Sequence, residues 1–172
     1  MSLSEFILVI KEPYSTIIEK LLRLLKERFG DDLISVAVYG SVARGDYRND
    51  SDIDLIIIAR NLPFSITERI KIFDSIEALL EADIMELYSK GYYVSFSPIM
   101  KTPEEAKRFS PIYMDMTEDA IIIYDTDNFF SNILTKFKNK LNELGFERVW
   151  LGKKWYWRKR DYKFGEVFTF DE

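Results

Sequence analysis

Two aspartates and a glycine–serine turn are the residues of this chain whose types and spacing best suit chemistry. Asp52 and Asp54 flank one isoleucine at the start of an apolar run. If that run is a strand, alternate side chains share a face, and both carboxylates point the same way. Neighbouring carboxylates repel each other unless a cation lies between them, and a hard divalent cation prefers oxygen ligands. The upstream Gly40-Ser41 turn offers N–H groups and a hydroxyl to a phosphate, so the pattern indicates nucleotide chemistry.

The residue types that are missing limit this chemistry. The chain has 172 residues and contains neither cysteine nor histidine. This excludes a disulfide framework, thiolate and imidazole metal sites and the Ser-His-Asp triad. Catalysis must use carboxylates, hydroxyls, Lys, Arg, Tyr or a metal ion. Glutamine is absent as well, and the many Lys, Glu and Ile residues favour a thermophilic source.

Charge is distributed unevenly along the chain. The net charge of −5 argues against a generally basic nucleic-acid-binding protein. Residues 136–163, however, contain ten Lys or Arg and three acids, a net of +7, which leaves −12 for the rest. No apolar run is long enough to cross a bilayer, and the first residues lack the pattern of a secretory signal. We therefore expect a cytoplasmic protein without a membrane partner.

The elements that must position these residues follow from apolar periodicity and from turn residues. Helices are predicted over residues 14–29, 41–44, 63–80, 103–109 and 128–144, and strands over residues 33–39, 53–59, 91–100 and 120–124. Ser41 would cap the short second helix, and Gly45 would end it. The order fits an α/β (α+β) fold with helices packed on a mixed sheet and a hairpin-like C-terminal tail.

The predicted strand–turn–strand segment carries a family resemblance. Gly40-Ser41, Arg44-Gly45 and Ser51-Asp52-Ile53-Asp54-Leu55 resemble the signature of the polymerase-beta-type nucleotidyltransferase superfamily. The chain is most similar to its small minimal nucleotidyltransferase domains, which are common in archaea and bacteria. The resemblance implies one nucleotidyltransferase-like domain over residues 1–172. Its core would span about 14–125, and a C-terminal helix and basic aromatic tail would occupy 126–172.

The resemblance also implies a role for each signature residue. Gly40 and Ser41 would hold the phosphates of a nucleoside triphosphate, with ATP favoured. Asp52 and Asp54 would be the catalytic residues that bind Mg²⁺ or Mn²⁺. Arg44 would support the phosphates or the aspartates, because a guanidinium matches either group. An acceptor hydroxyl would then attack the α-phosphate, and pyrophosphate would leave.

One part of the family pattern is missing. Members usually carry a third carboxylate on a neighbouring strand, but residues 92–100 contain no acid. Ser95 or Ser97 stands at the expected place, and Glu86, the nearest upstream acid, fits a helix end or a turn. This departure supports an alternative: a weakly active or inactive nucleotide-binding module, paired with a small helical protein as in toxin–antitoxin systems.

Structural interpretations remain open beside these functional ones. The aspartate pair could be the solvated edge of a loop before a buried strand. Ser41 could be a helix cap without a ligand, which is compatible with phosphate binding. Arg44 is almost as well explained by a surface ion pair with Asp46 or Asp50.

The segment 153–160 mixes basic and aromatic residues, Lys-Lys-Trp-Tyr-Trp-Arg-Lys-Arg. In a strand, Trp155 and Trp157 share one face. Such a segment can bind single-stranded RNA by stacking and charge. The favoured interpretation is a hairpin whose tryptophans seal the core or a dimer contact while the basic side chains stay in water. A contact with an acidic partner protein is a third interpretation.

Overall fold

A four-stranded mixed sheet organises the computed structural model, which describes residues 9–163 and 166–168. Its strands are β1 (Leu33–Tyr39), β2 (Ile53–Ala59), β3 (Phe96–Lys101) and β4 (Ile121–Asp125). Their order is β3-β2-β1-β4, with β1 antiparallel to both β2 and β4, and β2 parallel to β3. With helices packed on it, this sheet confirms the predicted fold class.

Helices cover the sheet, and a hairpin follows them. The helices are α1 (Tyr14–Phe29), α2 (Gly40–Arg44), α3 (Ile66–Glu77), α4 (Glu81–Ser89), α5 (Pro103–Ala106), α6 (Ile112–Asp119) and α7 (Phe129–Glu143). The hairpin strands β5 (Phe146–Leu151) and β6 (Lys154–Lys159) form a separate two-stranded sheet. Among the described residues, no helix combines the length and the apolar character that crossing a bilayer requires.

The strand β2 is buried on both faces, which explains its continuous apolar sequence. Leu55 and Ile57 pack in the core cluster that contains α1, whereas Ile56 and Ile58 pack in the cluster that contains α6 and α7. The prediction that this strand is central is confirmed, since β1 and β3 lie on either side of it. Asp54 lies at the end of the second face, where the buried run meets the surface.

Two predicted elements begin later than expected, and the predicted helix over 103–109 ends at Ala106. The predicted strand over 91–100 begins only at Phe96, because Gly91 adopts a left-handed φ of +84° in the turn after α4. The predicted helix over 63–80 is α3 and a 3₁₀ turn, and it begins only at Ile66, after Pro63. Phe73 and Ile76 form its buried apolar face, whereas Ile66 and Ile70 are 73% and 50% exposed.

Two helices were not predicted. The helix α4 presents only half-buried and exposed side chains, so its sequence carries little apolar periodicity. The helix α6 is eight residues long and buries Tyr113 and Met116, too few positions to establish a helical period.

Candidate functional site

The junction between β1 and α2 brings Gly40 against Asp54. Tyr39 and Asp54 are register partners on β1 and β2, so the turn after Tyr39 passes directly over the aspartate. Gly40 has a φ of +72°, a conformation that side chains disfavour. A Cβ atom on Gly40 would lie 2.1 Å from Oδ2 of Asp54. Both the backbone conformation and the close carboxylate therefore require glycine here.

Asp52 and Asp54 interact electrostatically. Asp52 is exposed just before β2, and Asp54 is half-buried. Burial raises the pKa of Asp54, the negative charge of Asp52 raises it further, and the guanidinium of Arg44 lowers it. The structure thus brings Asp52, Asp54, Gly40 and Arg44 to one end of the sheet. Tyr39 is itself buried, and this burial together with the negative charge of Asp54 raises the pKa of Tyr39 to about 12.

Ser41 does not cap the short helix, so that prediction is wrong. The helix α2 begins one residue earlier, at Gly40, and Tyr39 occupies the cap position without a side-chain hydrogen bond. The carbonyl of Ser41 accepts a hydrogen bond from the N–H of Asp46 at 3.2 Å. Gly45 ends the helix in the left-handed conformation, as predicted.

Serine hydroxyls line the neighbouring strand beside the aspartates. Ser97 is the register partner of Asp54 in the parallel pair of β2 and β3. Ser95 donates a hydrogen bond from its hydroxyl to Oδ1 of Asp52. Glu86 lies in α4 and forms an ion pair with Lys90 at 2.6 Å. Across residues 9–163 and 166–168, no third Asp or Glu joins the pair in a group that could hold a metal ion.

The donor set still fits a magnesium-like ion. Mg²⁺ keeps several water molecules and is usually bound by one or two carboxylates together with substrate phosphates. The negative charge of Asp52 raises the pKa of Asp54. A cation bound between the two carboxylates would relieve this repulsion. Asp52 and Asp54 are the residues that would hold it.

Comparison with known proteins identifies the family. Residues 18–123 match the family model described as the nucleotidyltransferase domain. The chain belongs to this nucleotidyltransferase family. The predicted superfamily membership is thereby confirmed. Nucleotidyltransferases use nucleoside triphosphates as substrates and typically require divalent metals.

Two relatives of this nucleotidyltransferase come from Methanocaldococcus jannaschii, and both are described as protein adenylyltransferases by inference. One is 36% identical over 126 residues, which cover 72% of this chain and 80% of that protein. The other is 32% identical over 100 residues, which cover 58% of this chain and 80% of that protein.

Solved structures of toxin–antitoxin complexes are more distantly similar. One contains AMP-PNP and matches with 15% identity and a TM-score of 0.46, covering 73% of this chain and 90% of that chain. The MntA–HepT complex matches with 12% identity and a TM-score of 0.44, covering 73% and 87%.

Arg44 of the nucleotidyltransferase is held by three neighbours. Its Nε lies 3.3 Å from the Asp46 carboxylate, which confirms the predicted ion pair. Its Nη1 lies 3.4 Å from Oδ2 of Asp119 at the end of α6. Its Cζ lies 4.4 Å from the centre of the Trp155 ring, within cation–π distance. Sequence reasoning missed Asp119 and Trp155, since both are remote from Arg44 in the chain.

The hairpin docks beside this arginine. Nη1 of Arg148 on β5 donates to Oδ2 of Asp119 at 2.7 Å, so one nearly buried carboxylate receives two guanidinium groups. The indole N–H groups of Trp155 and Trp157 both donate to Oδ1 of Asp115 at 2.8 Å. These contacts agree with the interpretation of the tail as a hairpin whose tryptophans pack on the core. The hairpin lies beyond residue 123, where the family match ends.

The basic side chains of the tail are largely paired. Arg158 forms a hydrogen-bonded ion pair with Glu147, and Arg160 lies 2.8 Å from the same carboxylate. Lys159 lies 3.0 Å from Glu166. RNA binding through residues 153–160 therefore stays a prediction. Lys153 and Lys154, at the start of β6, are the basic residues of this segment that could contact RNA phosphates.

A groove opens where the hairpin meets Arg44. Its volume is about 1030 Å³, and Arg44, Tyr47, Arg148 and Trp150 contribute to its lining. Trp150 is 50% exposed and can therefore contact a ligand. The hairpin thus forms one wall of the open space next to α2.

Proposed function

We propose that this nucleotidyltransferase transfers AMP from ATP to a hydroxyl group of a protein, with Mg²⁺ or Mn²⁺ bound at Asp52 and Asp54. The observation that supports this most directly is the contact between Gly40 and Asp54, with Asp52 close enough to raise the Asp54 pKa. The choice of AMP and of a protein acceptor rests on the description of the two archaeal relatives as protein adenylyltransferases.

Each signature residue has a defined task in this proposal. Asp52 and Asp54 would hold the metal ion, which would supply positive charge to the phosphates. Gly40 allows the backbone to approach the phosphates closely, and the Ser41 hydroxyl donates to them. Arg44 contributes positive charge from the side of α2, where Asp119 and Trp155 fix its orientation.

The reaction is a displacement at phosphorus. The acceptor oxygen forms a bond to the α-phosphorus, the bond from that phosphorus to the bridging oxygen breaks, and pyrophosphate leaves. The hydroxyl proton passes to water, since Ser97 stands beside Asp54, where the family resemblance implies a carboxylate base. We therefore expect slow turnover, because a general base typically contributes 10²- to 10⁴-fold.

A second candidate function follows from the same serine. Without a third carboxylate, the domain binds nucleotide and metal and acts as a regulatory module for a small helical partner protein. In that case ATP binding requires Asp52 and Asp54, but no AMP is transferred. A stoichiometric helical partner recovered from the source organism supports this candidate.

The experiment that separates the two uses ATP labelled at the α-phosphate. The purified protein is incubated with Mg²⁺ and candidate acceptor proteins, including itself, and transfer is measured beside ATP binding by calorimetry. Asp54→Asn and Asp52→Asn should abolish both transfer and metal-dependent binding. Asp50→Asn, which removes an exposed carboxylate nearby, is the matched control and should change neither. Transfer that survives in Asp54→Asn contradicts the proposal, and binding without transfer favours the regulatory module.

A further inference from the structure

A second groove lies at the opposite end of the sheet from Asp54. It has a volume of about 1110 Å³, and its basic lining residues are Arg60, Lys107, Lys136 and Lys140, which we call the basic groove. The strand from Asp54 to Arg60 rises by about 20 Å, at roughly 3.3 Å per residue. The groove therefore shares no residue with the proposed transfer site and is spatially separate from it.

Basic residues outnumber acids in the basic groove, and three of its four basic residues form no close ion pair with the described residues. Within the described parts of the chain, no ion pair within 4.0 Å involves Lys107, Lys136 or Lys140. Nη1 of Arg60 donates a hydrogen bond to a neutral partner, the Asp31 carbonyl, at 3.0 Å. Two acids, Glu104 and Asp127, also line the groove, which leaves an excess of basic groups.

The lysines of α7 differ in whether they form ion pairs. Lys138 on α7 lies 3.1 Å from Glu118 of α6. Lys136 and Lys140 lie one helical turn apart on the face that lines the basic groove, about 6 Å from each other along the axis. Within the described residues, the lysine that α7 presents toward α6 is ion-paired, and the two lysines that it presents to the groove are not.

The basic groove also contains surfaces that suit a nucleobase. The half-buried ring of Phe129 lies 5.9 Å from Nζ of Lys107. The side chains of Thr126 and Asn132 add neutral hydrogen-bonding groups beside it. Proteins that bind single-stranded nucleic acid without sequence preference combine lysines that contact phosphates with aromatic rings on which bases stack.

We propose that the basic groove binds nucleotide phosphates, with a base against Phe129, either in a strand of RNA or in a free polyphosphate compound. Lys136 and Lys140 contact successive phosphates, and Lys107 and Arg60 contact the same ligand from the opposite wall. This site differs from the RNA contact expected at residues 153–160, whose arginines are paired with Glu147. Binding in the basic groove is a function additional to AMP transfer and does not depend on it.

The test compares two charge reversals of equal size. Binding of a single-stranded RNA of about 12 nucleotides is measured by filter retention, and binding of tripolyphosphate by calorimetry, both with EDTA present. The double variant Lys136→Glu/Lys140→Glu should weaken RNA binding at least about tenfold. It should also reduce the salt slope by about 1.4, since each phosphate contact on a single strand contributes about 0.7. The variant Lys153→Glu/Lys154→Glu tests the competing RNA contact predicted at residues 153–160, and it should change affinity less than about threefold.

Each outcome decides for or against the proposal. RNA bound far more tightly than tripolyphosphate supports both the phosphate contacts and the base contact at Phe129. Equal affinity supports the phosphate contacts, identifies a free polyphosphate as the ligand and overturns the base contact. The proposal is overturned if neither ligand binds, if the hairpin variant loses as much affinity as the groove variant, or if polyglutamate competes as well as RNA does. If the double variant does not fold, judged by circular dichroism, Lys107→Glu on the opposite wall replaces it. Asp54→Asn should abolish transfer and leave RNA binding intact, so a failure of one proposal is distinguishable from a failure of the other.

Discussion

The carboxylate of Asp54 occupies the space in which a Cβ atom of Gly40 would have to lie. The separation would be 2.1 Å, and the contact follows from the pairing of Tyr39 with Asp54 across β1 and β2. Strand register therefore determines how the turn proposed to hold phosphate meets the carboxylate proposed to hold metal. A shift of one residue would turn Asp54 to the other face of the sheet and separate the two.

Replacement of Gly40 by alanine should abolish nucleotide-dependent activity. The new methyl group would displace the Asp54 carboxylate, and the left-handed backbone would cost about 1–2 kcal/mol of stability. Gly45→Ala is the matched control, because Gly45 has a φ of +76° with open space around its would-be Cβ. Chemical denaturation should show similar stability losses for both variants, whereas transfer or ATP binding should be lost only in Gly40→Ala. Equal activity of the two variants would contradict the role of the contact.

Asp54→Asn should raise the melting temperature of the metal-free protein at neutral pH. Because the folded-state pKa of Asp54 is raised, its ionised form destabilises the fold, and this cost appears as the pH rises through that pKa. Calorimetric scans at pH 7 and at pH 3 check this, and the difference between variant and wild type should vanish at the lower pH. Mg²⁺ should stabilise the wild type and leave Asp54→Asn unchanged. A variant less stable than wild type at neutral pH contradicts the assigned sign.

Metal binding should be lost at a higher pH than for an ordinary aspartate pair, since protonation of Asp54 competes with the cation. Arg44→Met should move this loss to still higher pH, because it removes the positive charge that lowers the Asp54 pKa. Arg48→Met is the control, since Arg48 is an exposed arginine that pairs with Asp50. Titration with Mn²⁺ at a series of pH values measures the shift. A movement to lower pH in Arg44→Met would refute this reasoning.

Ser97→Asp should increase metal affinity and, if transfer is limited by the missing base, the turnover number. The new carboxylate would lie beside Asp54 in the register of β2 and β3, on an exposed position that can accept it. An increase in rate of about 100-fold is expected, the lower end of what a general base typically contributes. Ser97→Asn supplies a side chain of the same shape without charge and should give no increase. Turnover that is equal in the two variants shows that the missing carboxylate does not limit the rate.

Trp155→Ala should raise the KM for ATP by about fivefold while kcat changes less, since a cation–π contact of about 1 kcal/mol orients Arg44. Tyr156→Ala, on the opposite face of β6 and 49% exposed, is the control and should behave as wild type. Steady-state kinetics of both variants test this. A fall in kcat alone, with KM unchanged, would show that Trp155 does not act through Arg44.

The signature region could be predicted from the sequence because its information is local. The strands β1 and β2 are apolar runs interrupted only by Ser35 and Asp54, and the helix α1 has a full amphipathic period between Pro13 and Gly30. Their observed bounds therefore agree with prediction. The hairpin was predictable from alternation, since Trp155 and Trp157 share the packed face.

The surroundings of Arg44 could not be predicted in this way. Asp119 lies at the end of a short helix with little periodicity, and Trp155 lies in a hairpin more than a hundred residues further along. Side-chain pairing between such distant segments depends on how the elements pack, which propensity and pattern do not contain. The extent of the domain, the site roles and the RNA contact of the tail remain predictions.

The chain has three tryptophans, and all of them, Trp150, Trp155 and Trp157, belong to the hairpin that contacts Arg44. Indole emission from this protein therefore originates in that one element. A spectral shift on addition of ATP would show, without any label, that ATP binding at the signature residues changes the surroundings of the hairpin tryptophans. An unchanged spectrum would show that the hairpin does not respond to ATP.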